Sequence, residues 1–161
     1  MANYAVSNST TTGGLGTQQA IAAAFKTLLT SVSSQTNLRR GKVYDILVGT
    51  NGTPADNYME WDVARTTGTT SGGTAYTPPP LDSADGAAFT LTTVNSTTEG
   101  VITANSNMFY VGVNQRASYR WVAAPGSELV WPATASNGLV LRARSGGYTG
   151  TATGTWLFTE Q

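Results

Sequence analysis

The chain has 161 residues, 40% of them apolar, which suits one domain with a sizeable core and leaves little for a second. It contains no histidine and no cysteine, so proton transfer, nucleophilic attack and soft-metal ligation lose their usual side chains and a building or binding role is expected. Nine basic residues balance nine acidic ones, which argues against nucleic acid as a partner, and a charged fraction of 11% against the roughly 25% of ordinary soluble domains implies a surface partly covered by other proteins.

Residues 1–20 read as a flexible polar N-terminal arm, and residues 21–161 as a single domain. Residues 1–12 lack the apolar stretch of a signal peptide and no run of 18 apolar residues occurs, so synthesis in the cytoplasm without a membrane partner is expected. Gly13-Gly14-Leu15-Gly16 is half of a phosphate loop without the preceding strand or the Lys-Ser/Thr ending, and reads as part of the arm. Asn8, Asn51 and Asn95 each open an Asn-x-Ser/Thr triplet and read as turn residues. Residues 25–34 fit either a helix or a strand. The strand is preferred, because an otherwise all-β chain needs sheet partners more than one isolated helix.

Arg39, Arg40 and Lys42 form a basic cluster that reads as the exposed start of a strand. From Val43 the period is two. Residues 43–48 make a strand ending at the Asn51-Gly52-Thr53-Pro54 turn. Residues 58–65 follow, with Met59, Trp61 and Val63 on one face and Glu60, Asp62 and Ala64 on the other. Residues 66–80, rich in Thr and Gly and ending in three prolines, are expected as an exposed loop, and residues 81–88 as one helical turn capped by Asp82 or Ser83. Further strands are expected at 89–94, with a continuation at 101–104, then at 108–113, 118–123, 128–131 and 139–144. A last strand at 149–159 sets Thr151, Thr153 and Thr155 against Ala152, Gly154 and Trp156. No repeat period emerges. Short strands with regular turns predict an all-β antiparallel sandwich.

Glu60 and Asp62, on one strand face near Asp56, are the paired carboxylates that a glycosidase or a calcium site would need; an acidic or ion-pairing patch is the plainer reading. Serines abound, but there is neither a histidine nor a Gly-x-Ser-x-Gly elbow to activate one. Trp61, Trp121, Trp131 and Trp156 suggest sugar stacking, although alternation predicts that most fill the core. Arg116, Arg120, Arg142 and Arg144, together with Glu60 and Asp62, are the candidate interface residues, since arginine forks pair bidentately with carboxylates across protein contacts. No catalytic residue, metal or cofactor is expected.

Leu-Arg-Arg-Gly-Lys-Val-Tyr-Asp at 38–45, Gly-Thr-Pro-Ala-Asp-Asn at 52–57 and above all Asn-Gln-Arg-Ala-Ser-Tyr-Arg-Trp-Val-Ala-Ala-Pro-Gly-Ser-Glu-Leu at 114–129 resemble short β proteins of tailed bacteriophages, the capsid cement or decoration proteins. The resemblance runs from about Leu38 to the C-terminus and involves no catalytic motif. It implies a jelly-roll sandwich, a homotrimer, a virion location on the capsid exterior, and the major capsid protein as partner. On that basis the arm would be ordered by the capsid or an adjacent protomer. The competing expectation is a carbohydrate-binding or host-recognition module.

Overall fold

The period-two patterning is realised as strands throughout, and no helix forms among the described residues, 1–9 and 18–161, of this computed structural model. In chain order the strands are β1 (Asn3–Ser7), β2 (Gln19–Ala20), β3 (Lys26–Val32), β4 (Gly41–Gly52), β5 (Tyr58–Thr66), β6 (Thr74–Tyr76), β7 (Leu91–Val94), β8 (Ile102–Asn114), β9 (Tyr119–Val122), β10 (Leu129–Trp131), β11 (Gly138–Arg144) and β12 (Gly150–Glu160). They form two antiparallel sheets packed as a β-sandwich. The first runs β1-β12-β4-β10, with β2 also on β12 and β9 also on β4; the second runs β6-β7-β3-β11-β5-β8. The long strands pair from the outside of the sequence inward: β1 with β12, β3 with β11, β4 with β9 and β10, and β5 with β8.

The core lies between the sheets. Val43, Ile46, Val48, Trp156 and Phe158 from the first sheet meet Leu28, Met59, Trp61, Val63 and Leu141 from the second, all of them buried. Burying each such side chain contributes roughly 1.5–3 kcal/mol. Val43 and Ile46 are three residues apart, which strict alternation forbids. A bulge resolves this: β12 steps from Leu157, opposite Asp45, to Phe158, opposite Val43, leaving Tyr44 as the extra residue. Two glycines set how closely parts of the core approach. A Cβ on Gly154 would sit 2.6 Å from Leu141 Cδ2 across the sandwich, and one on Gly41 would fall 1.9 Å from the Trp131 ring. Trp131 in turn packs on Phe158 at 5.3 Å.

The strand preferred for residues 25–34 is present as β3, and the strands expected at 43–48, 58–65, 118–123, 128–131, 139–144 and 149–159 all appear. Four expectations need correction. Residues 3–7 are not part of an arm, because β1 pairs along β12 and buries Tyr4 and Val6; Gly13-Gly14-Leu15-Gly16 lies outside the described residues. Residues 66–80 are not simply an exposed loop: β6 joins β7, and Thr66 and Thr70 are buried because their hydroxyls bond to Val101 O and to Thr30 Oγ1. Residues 81–88 form no helical turn; the Asp82 carboxylate accepts from Ala84 N at 2.9 Å in a tight turn. The pieces expected at 101–104 and 108–113 are one strand, β8, with a bulge between Ile102 and Asn107 where Asn105 takes a φ of 54°.

Candidate functional site

The candidate interface charges meet one another inside the chain. Strands β5 and β11 are adjacent, and their register sets Asp62 opposite Arg142 and Glu60 opposite Arg144. Both pairs bond, Arg142 Nη2 to Asp62 Oδ2 and Arg144 Nε to Glu60 Oε2. Asp62 is fully buried and its other oxygen accepts from Asn107 Nδ2 at 2.6 Å. The ring of Phe25 lies under both guanidiniums, 4.7 Å from Arg142 Cζ and 4.8 Å from Arg144 Cζ. Hydrogen bonding from the Tyr110 hydroxyl, and then from Arg144, holds the Glu60 carboxyl below its ordinary range, while the same bond to Glu60 pushes the Tyr110 hydroxyl up. Glu60 and Asp62 are therefore each tied to an arginine on the outer face of the second sheet, the ion-pairing patch that was the plainer reading.

Arg120 and Arg116 serve other places. Arg120 forms a two-point fork with Asp45, Nε to Oδ1 at 3.0 Å and Nη2 to Oδ2 at 2.6 Å, across β9 and β4. This pair lies in a shallow depression of about 310 Å³ on the outer face of the first sheet, lined also by Leu47, Thr155 and Leu157. Asp45 lies at the β4 bulge, and sequence reasoning missed it. Arg116 is exposed, 3.4 Å from Asp56, and its Nε donates to Pro54 O.

Gln115 and Asn8 were also missed. Gln115 is fully buried at one end of the sandwich. Its Oε1 accepts from Ala55 N at 2.9 Å and its Nε2 donates to Ser145 Oγ at 3.0 Å, so the turn after β8 is stitched to the β4–β5 turn and to the end of β11. Asn8, read from sequence as a turn residue, is a buried clamp: its Nδ2 donates to Ala152 O and to Asn95 Oδ1, and its Oδ1 accepts from Gly154 N at 2.7 Å. Asn95 does occupy a turn, at a φ of 55°, whereas Asn51 lies within β4. A lone polar residue gives no sequence signal for burial; the one available hint for Gln115 is its place inside the 114–129 block.

Trp61, Trp131 and Trp156 are fully buried, so none offers a face to a sugar. Trp121 is half-buried and packs at 6.0 Å on Phe109. A groove of about 470 Å³ runs past Tyr76, Phe89 and a row of threonines. Three of its hydroxyls are engaged within the protein: Thr70 with Thr30, Thr92 with Ser31, Thr90 with Glu160. Arg39 Cζ lies 5.0 Å above the ring of Phe89, which remains exposed. Among the described residues no group of three or more Asp or Glu side chains is placed to hold a metal ion, and no helix is long and apolar enough to cross a membrane.

No protein-family model matches the chain, and no curated protein or solved structure matches it either.

Proposed function

We propose that this chain is a structural virion protein that binds the outer surface of a phage capsid as a homotrimer and ties neighbouring capsid subunits together. The observation that carries the reading is the nested strand pairing. A chain folded as one long hairpin, with the first main strand on the last and each inner pair following, would give paired strands of this order if it were wound into a sandwich, and this supports a jelly-roll reading of the fold. A winding alone names no function, so the step to a capsid is by analogy. It is narrowed by the 114–129 resemblance and by the way charge is spent. The arginines and carboxylates proposed for an interface secure the sandwich itself, leaving outer faces of threonine and apolar side chains such as Leu47 and Val122, which are 48% and 59% exposed. A rigid body of this kind stabilises a shell by mass action, because it binds the assembled state and many copies multiply the effect.

Co-sedimentation tests this reading. The purified protein is expected to pellet with phage capsids stripped of it and to raise their thermal disruption temperature. Remaining in the supernatant while binding immobilised glycans would overturn the proposal in favour of a host-recognition module.

A further inference from the structure

The carboxylates of this chain do not reach all of its bases. Asp45, Asp56, Glu60 and Asp62 each hold an arginine, and no other ion pair forms among the described residues, which include all nine acidic side chains. Other carboxylates are committed to the backbone: Glu99 accepts from Thr27 N, Glu160 from Phe89 N and Thr90 N, and Asp82 from Ala84 N. In the basic cluster at 39–42, Arg39 lies over the Phe89 ring, but Arg40 has no such partner. Arg40 and Arg65 both lack a carboxylate, and they share one depression.

That depression, about 330 Å³, is lined by Arg40, Arg65, Val130, Pro132 and Ala133. It lies where the β10 edge of the first sheet meets the second, because Arg65 near the end of β5 reaches across and its Nη1 donates to Val130 O at 3.0 Å. The bond holds this guanidinium in place and leaves its remaining donors without a protein partner. Arg40 is held through its backbone instead: its N donates to Gln161 O at 3.1 Å and its O accepts from Gln161 N at 2.9 Å. Both arginines are exposed, and no acidic residue lines the depression. Two guanidiniums at one site repel each other, and an anion between them turns that repulsion into attraction.

We infer that this notch receives a carboxylate side chain, Asp or Glu, of the protein that this chain binds; naming that protein the capsid subunit rests on the function proposed above. A guanidinium fork matches a carboxylate in two-point contact, the arrangement this chain already uses between Arg120 and Asp45. The other three lining residues are apolar, which suits the methylene stem of Asp or Glu better than a hydrated phosphate. A neutral chain also lacks the basic excess that a phosphate backbone demands. Exposed charges at a contact steer the encounter and fix its register more than they add affinity. The notch therefore orients this weakly charged body on its partner, and the uncharged outer faces bury the surface.

Acetyl-hexaglutamate amide is the probe. In titrations of the full-length protein at low ionic strength followed by NMR, the Arg65 Nε–H signal and the amides of Val130 and Ala133 are expected to shift together and to saturate. Arg40→Gln combined with Arg65→Gln should weaken that binding by about tenfold or more. Ala133→Glu, which puts a carboxylate at the notch and leaves both arginines in place, should do the same, whereas Arg116→Gln, which removes an exposed arginine already paired with Asp56, leaves binding unchanged. The double variant should also pellet less with stripped capsids than the wild type does. Failure of the wild type to bind the peptide, an equal response to inorganic phosphate at matched ionic strength, an equal effect of Arg116→Gln, or a folded double variant that pellets with capsids as the wild type does would each overturn the inference. So would a wild-type oligomer that dissociates in the double variant, because the carboxylate would then belong to another copy of the chain. Peptide binding that depends on the two arginines, in a protein that does not pellet with capsids, would support the notch and remove only the capsid reading.

Discussion

At the residue scale, stability turns on a few positions where charge or volume has one arrangement. Asp62 is fully buried and Arg142 nearly so, and breaking such a pair leaves a charge without compensation. Asp62→Ala is expected to lower unfolding stability by about 3–5 kcal/mol, and the double change Asp62→Leu with Arg142→Met to regain most of it, as measured by urea denaturation. Gly41→Ala pushes a methyl into the Trp131 ring and is expected to cost about 1–3 kcal/mol. Glu60 sets a pH dependence. Its carboxyl is held below the ordinary 4.5, so the folded state binds that proton less readily than the unfolded chain. The stabilisation is therefore present above that ordinary value and is lost as pH falls through the lower folded value. In thermal melts taken down through the acid range, Glu60→Gln should show a shallower fall than the wild type. That Glu60 and Asp62 share a face with each other, and Arg142 with Arg144, was legible from alternation within each strand. Their pairing was not, because it depends on the register of β5 against β11, two strands about eighty residues apart in sequence.

At the scale of elements, the alternating strands were readable and the polar ones were not. β3, β4, β5, β9, β10, β11 and β12 carry an apolar face or run that fixes their existence, though the bulge at Tyr44 follows only from what the sheets must bury. β1 carried the same signal, since Tyr4 and Val6 alternate with Asn3, Ala5 and Ser7, but the polar residues that follow obscured it. β6 is only Thr-Ala-Tyr, held by its backbone pairing with β7, and at the bulged start of β8 the Ser106 hydroxyl accepts from Arg65 N of β5; a sequence displays neither. Because β1 belongs to the sandwich, removing residues 1–9 should destabilise the fold itself as well as any assembly. Asn8→Ala isolates part of that effect: it orphans Gly154 N and Ala152 O and is expected to cost about 1–3 kcal/mol by chemical denaturation, with β1 amides exchanging faster.

At the scale of the whole molecule, the chain is a sandwich stapled by its own charges and sealed at one end by Gln115. The absence of histidine and cysteine and the internal ion pairs fit the proposed role of a body that works by covering surface, and the nested strand pairing fits it too. The most direct measurement is the protein content of purified phage particles whose genome encodes this chain, quantified by mass spectrometry against the shell protein. The account predicts the chain in mature particles at a copy number comparable to that of the shell protein; its absence from them, or presence at only a few copies per particle, would contradict it.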